Sequence, residues 1–115
     1  MNYDPFVTKG FTKICSRSDL RQNAGKRFIV DETDVAVFLV NDTIYAVSNI
    51  CPHKQSALIF DGFLEGDNIV CPVHGWMFNL KNGKTPTGNN GLRIFETMIK
   101  GNDVYIKIEE RKYNW

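Results

Sequence analysis

Asp34-Val35-Ala36-Val37-Phe38-Leu39-Val40-Asn41-Asp42-Thr43-Ile44-Tyr45-Ala46-Val47 decides the fold class. Residues 34–40 are almost continuously apolar, which predicts a strand buried on both faces. Asn41-Asp42 is turn chemistry, and Thr43 to Ser48 resumes as the hairpin partner. Outward from this pair the same grammar recurs. Lys26 to Val30 is a strand after Asn23-Ala24-Gly25. Gly62–Glu65 and Asn68–Cys71 flank Gly66-Asp67, and Trp76–Leu80 and Lys84–Thr85 flank Lys81-Asn82-Gly83. Near the C-terminus Val104, Ile106 and Ile108 alternate with Tyr105, Lys107 and Glu109, a period of two. Gly101-Asn102-Asp103 joins that strand to Arg93–Ile99. About nine or ten short strands at this spacing predict an all-β, antiparallel sandwich or barrel. No stretch of about a dozen residues carries a helical apolar stripe. Phe6, Phe11, Phe28 and Phe38 are candidate core, and residues 1–10 and 110–115 are extensions in which Tyr113 and Trp115 lie.

The chain has 115 residues and a formal net charge of +1, which fits one domain, residues 1–115. Neutral charge excludes a basic nucleic-acid footprint. No apolar run approaches the roughly 18 residues of a membrane span, so no membrane partner is expected. Met1-Asn2-Tyr3-Asp4-Pro5 does not open a secretory signal. Three cysteines are too few for a disulfide framework, which makes the cytoplasm the expected compartment.

The two histidines of the chain, with two of its three cysteines, sit in one echo: Cys51-Pro52-His53 and Cys71-Pro72-Val73-His74. Each pair follows a strand, and the hairpin between them can bring the two loops together. Thiolate and imidazole are metal ligands, and two of each complete a set for tetrahedral zinc or for a mixed-ligand iron–sulfur cluster. Cys51 and His53, on one face of an extended segment, stand about 6–7 Å apart at Cα by strand rise. That span suits two metal ions in one compact cluster better than a single tetrahedral ion. Pro52 and Pro72 fix φ after both cysteines, or serve as plain turn residues. Cys15, after Phe11-Thr12-Lys13-Ile14, is a small core hydrophobe.

Cys51-Pro52-His53 together with Cys71-Pro72-Val73-His74-Gly75-Trp76 resembles the Rieske-type iron–sulfur proteins. So do the run Gly75-Trp76-Met77-Phe78-Asn79-Leu80, Gly83 and Pro86. The resemblance covers roughly residues 10–109. It implies a Rieske-like sandwich or barrel with a small cluster-binding subdomain at about 49–87. It implies one Rieske 2Fe–2S cluster per chain, with Cys51 and Cys71 on one iron and His53 and His74 on the other. Two ferric ions, two sulfides and two thiolates are neutral together, so an added electron is easier to hold than on an all-thiolate cluster. Compared with high-potential members, the positions of an extra disulfide are Ser56 and Val73, and the positions of Ser and Tyr hydroxyls are Trp76 and Phe78. Fewer donors to the sulfurs place the potential at the low end of the Rieske range. Trp76 is expected to pack, Pro86 to sit on a third loop over the cluster, and Lys54 and Gln55 to be solvated or part of a docking surface.

No further pairing of catalytic residues is present, so no catalytic residue is assigned. The resemblance implies a one-electron carrier between a reductase and a terminal oxidoreductase. The redox partners would be a reductase donor and an oxygenase acceptor. The alternative is the small subunit of an NADH-dependent nitrite reductase. A zinc-stabilised interaction module is the reading from a different class. At this length no room is expected for a mononuclear-iron catalytic domain.

Overall fold

The computed structural model describes residues 10–51, 56–72, 75–88 and 91–108. Nine strands lie among them: β1 (Phe11–Ser16), β2 (Ala24–Val30), β3 (Thr33–Val40), β4 (Thr43–Ser48), β5 (Phe63–Glu65), β6 (Asn68–Val70), β7 (Met77–Asn79), β8 (Ile94–Lys100) and β9 (Asp103–Lys107). Two single 3₁₀ turns, Arg17–Asp19 and Ile59–Asp61, are the helical elements. All strand pairs are antiparallel.

Six strands form one curled sheet in the order β1-β9-β8-β4-β3-β2, and β5-β6-β7 form a small second sheet. The tight hairpins follow from local chemistry. Asn41 and Asp42 have φ of 50° and 62°, and Val40 pairs with Thr43 across them. Both central residues in the left-handed region make the turn whose twist matches paired strands. Asp31 and Glu32 do the same between β2 and β3, with φ of 49° and 64°. This second turn has no Asn-Gly or Asp-Gly signature, and Glu is strained there.

β3 is the spine of the molecule. Val35, Val37 and Leu39 face a core with Ile44, Ala46, Phe95, Val104 and Ile106 inside the large sheet. Ala36, Phe38 and Val40 face the opposite way, into a second core with Ile59, Ile69, Phe78, Leu80 and Leu92. Val35 to Val40 are all buried, as the apolar run predicted. Alternation at period two therefore serves two cores, one on each face. Burying a side chain such as Phe38 contributes roughly 1.5–3 kcal/mol.

Gly25 fixes the joint between the two parts. A methyl group there would overlap the Phe60 carbonyl oxygen and the Phe38 ring. The edge strand β2 can therefore lie directly against the 3₁₀ turn Ile59–Asp61 only without a side chain at this position.

Two expectations need correction. Lys84–Thr85 is not a strand. The Asn79 N–H donates to the Lys84 carbonyl at 2.9 Å, and the Asn79 side chain accepts from the Lys81 N–H at 2.8 Å, which closes a turn instead of a ladder. Pro86 follows without an N–H to extend pairing. Trp76, expected to pack, does so from the surface: it is 41% exposed, and its ring centroid lies 6.4 Å from that of Phe78. Phe11 and Phe28 are only half-buried. Phe6, Tyr113 and Trp115 lie outside the described residues. Cys15 packs, half-buried, against the core inside the large sheet, close to its expected role.

Candidate metal centre

Cys51 lies just beyond β4, and Cys71 follows β6 directly. Each is 1% exposed, and both belong to the same buried cluster, with Phe38, Ile59, Ile69, Phe78 and Leu92. Neither is in a disulfide. Two cysteines twenty positions apart in the chain thus line one buried cluster between β3 and the small sheet.

The sequence echo is also an echo of structure. The Cys51 N–H donates to the Ser56 carbonyl at 2.9 Å, and the Cys71 N–H donates to the Trp76 carbonyl at 2.7 Å. Each bond reaches five residues forward, so the two loops close to the same size. Gly75, with φ of 74°, lets its N–H turn back to the Cys71 carbonyl at 2.9 Å. His53, with Pro52, Lys54 and Gln55, and His74, with Val73, lie outside the described residues. The expected placement of the two histidines therefore rests on their places within these loops.

The thiols suit a metal cluster by donor chemistry. Cysteine must lose its proton to bind a metal, and a dry apolar shell does not stabilise a bare thiolate. Cys51 and Cys71 supply two thiol donors of the kind a metal cluster takes up as thiolates. The shell also keeps water from a redox centre.

A further loop flanks the second one. Gly75, Trp76, Met77, Thr85, Pro86 and Thr87 line a shallow cleft of about 330 Å³. The Pro86 loop thus stands beside the residues that follow His74 in the chain. The Gly88 N–H donates to the Thr85 carbonyl at 2.9 Å, and the Thr85 and Thr87 hydroxyls stand 3.1 Å apart, which shapes that loop.

Sequence reasoning passed over Asn49. It is 0% exposed, two residues before Cys51, and every polar group it carries is bonded. Its Nδ2 donates to Asp34 Oδ1 at 2.9 Å and to the Ala57 carbonyl at 3.1 Å. Its Oδ1 accepts from the Phe60 N–H at 2.7 Å. Asp34 is held in turn by Arg27, whose Nε and Nη2 donate to its two oxygens at 2.9 and 2.7 Å. The Arg27 bond holds the Asp34 carboxyl below its usual range; burial opposes this, and the Asn49 bond adds to it. In sequence an isolated Asn after a strand looks like a turn residue, and only its burial reveals it.

Comparison with known proteins shows the family. Residues 10–94 match the family model of the Rieske [2Fe-2S] domain. Ferredoxin CarAc of Metapseudomonas resinovorans is 33% identical over 102 residues, covering 86% of this chain and 94% of that protein. A solved complex of reduced oxygenase and oxidized ferredoxin in carbazole 1,9a-dioxygenase contains a chain that is 34% identical. Its TM-score is 0.73, covering 83% of this chain and 99% of that one. A putative NADH-dependent nitrite reductase small subunit from Mycobacterium tuberculosis superposes with a TM-score of 0.78. It is 18% identical and covers 84% of this chain and 92% of that chain, so the likeness is one of fold.

Proposed function

Because the chain belongs to the Rieske [2Fe-2S] domain family, we propose that Cys51 and Cys71 bind one iron of its cluster and His53 and His74 the other. The cofactor is a Rieske-type 2Fe–2S cluster, and the protein transfers electrons. When bound, the cluster supplies a one-electron acceptor whose neutral oxidised charge favours reduction. The residues of the chain do the rest. The apolar shell of Ile59, Ile69, Phe78, Leu80 and Leu92 excludes water on the cysteine side. The two closed loops hold the thiols in place, which keeps rearrangement small when charge changes.

The natural partners are a reductase that donates the electron and the oxygenase of a ring-hydroxylating dioxygenase that accepts it. Relatives of about one-third identity over nearly the whole chain support this acceptor. The nitrite reductase reading has support from fold alone. The whole chain is read as one domain, with the cluster-binding part at about 49–87. No helix among the described residues is long and apolar enough to cross a membrane. We place the protein in the cytoplasm, where cysteines stay reduced.

The observation that carries the site assignment is the shared burial of Cys51 and Cys71 in two loops of identical closure. The test of function is stopped-flow reoxidation. Reduced protein mixed with an oxidised dioxygenase oxygenase should lose one electron per chain. Transfer only to a flavin- and haem-containing nitrite reductase would move the assignment to the alternative.

A further inference from the structure

The two cysteine loops close alike but stand on different bases. The second loop is the tip of a β-hairpin. Val70 of β6 pairs with Met77 of β7, so a ladder seals it immediately below Cys71 and Trp76. Among the described residues the first loop has no ladder. β4 leads into it, but the chain leaves through residues 57–60 and the 3₁₀ turn, which pair with no strand.

Asn49 occupies the place of that missing ladder. Its backbone N–H donates to the Asp34 carbonyl at 2.9 Å, and its carbonyl accepts from the Ile59 N–H at 3.3 Å. Its side chain reaches Ala57 and Phe60 on the segment that leaves the loop and Asp34 on β3. One residue therefore ties the loop's entry, its exit and the large sheet together. It is the only buried polar side chain among the described residues. Burial makes each of these bonds costly to lose.

We propose that Asn49 is the positioning residue of the first cysteine loop. It sets the span between the loop's two ends and so the setting of Cys51, with Asp34 and Arg27 as its anchor. This rests on the ligand assignment above.

The role separates from plain stability. Val104 is fully buried in the other core, far from the loop in the topology. Val104→Ala should lower the melting temperature and leave the cluster's environment alone. The reduced holoprotein would be compared as wild type, Asn49→Ala, Asn49→Asp, Val104→Ala and the double variant Asn49→Asp/Asp34→Asn. The readouts are melting temperature, electron-paramagnetic-resonance line shape and the rate of cluster loss to a chelator. Asn49→Ala should lose the cluster about tenfold faster or more, the change that one or two unpaired buried groups imply. It should also show a shifted or broadened spectrum. Asn49→Asp sets two carboxylates against each other and should be at least as labile. Adding Asp34→Asn restores a donor–acceptor pair between positions 34 and 49, and should recover part of the lifetime even though Arg27 loses its ion pair. Equal lifetimes and spectra for Asn49→Ala and Val104→Ala, scaled to their melting temperatures, would overturn the proposal. So would a double variant no better than Asn49→Asp. A wild-type protein with no cluster spectrum would instead overturn the ligand assignment.

Discussion

Gly25→Ala tests the joint between the large sheet and the cluster-binding part. Gly25 has no positive φ, so alanine is conformationally acceptable there, and the loss of glycine's freedom in the unfolded chain favours the variant by about 0.4–1 kcal/mol. The new methyl would overlap the Phe60 carbonyl and the Phe38 ring. Phe38 is fully buried, in the same core cluster as Cys51 and Cys71. The other neighbour is backbone, in the segment that Asn49 holds through the Phe60 N–H. Overpacking of this kind costs about 1–3 kcal/mol. A contact of 2.5 Å to a buried ring and a closer one to backbone put the cost in the upper part of that range, about 2–3 kcal/mol, and after the glycine effect the net loss is about 1–2.5 kcal/mol. In a chain of this size that is a fall in melting temperature of about 3–10 °C. Thermal melts by far-ultraviolet circular dichroism measure it, and visible bleaching follows the cluster in the same samples. Because the overlap falls on the exit of the first loop, bleaching should begin before the global melt. A variant as stable as wild type would refute the reasoning, since the two parts would then not meet at Gly25.

Two further outcomes follow from the same contacts. The folded-state pKa of Asp34 is depressed below 3.8, chiefly by Arg27, so its stabilising contribution is fully present above the unfolded carboxylate pKa. It is lost as pH falls from about 5 through the folded-state value. Melting temperature against pH should therefore drop less steeply on the acid side in Arg27→Met than in wild type, and identical acid limbs would argue against the pair. The reduction potential, by redox titration, should lie in the lower third of the Rieske range of about −150 to +300 mV, because Phe78 offers no hydroxyl in the thiol pocket. A strongly positive value would contradict that.

Much of the fold was legible because it depends on local chemistry. The run from Val35 to Val40 could be buried only on both faces, and the structure has a core on each. Asn41-Asp42, Gly66-Asp67 and Gly101-Asn102 mark their turns by residues that tolerate positive φ. Asp31-Glu32 gave no such signal, since Glu is a poor residue for that region and the pairing of β2 with β3 imposes it. Lys84–Thr85 misled because its turn carries polar residues like those of a hairpin. What distinguishes it is the bonding of Asn79, which depends on three-dimensional placement. The Cys and His spacing marked the candidate metal centre, and the structure adds that Cys51 and Cys71 belong to one buried cluster, while His53 and His74 lie outside the described residues. Asn49 was not readable. Its importance comes from partners at 34, 57, 59 and 60 that no local pattern links to it.

The most direct test of the central claim is pulsed electron-paramagnetic-resonance of the reduced protein, with iron and zinc counted on the same sample. The ligand set Cys51, His53, Cys71 and His74 predicts two irons per chain, no zinc, and nitrogen couplings from two imidazoles. Replacing either histidine should remove that imidazole's coupling. A cluster spectrum without nitrogen coupling, or a colourless protein holding one zinc, would contradict the account.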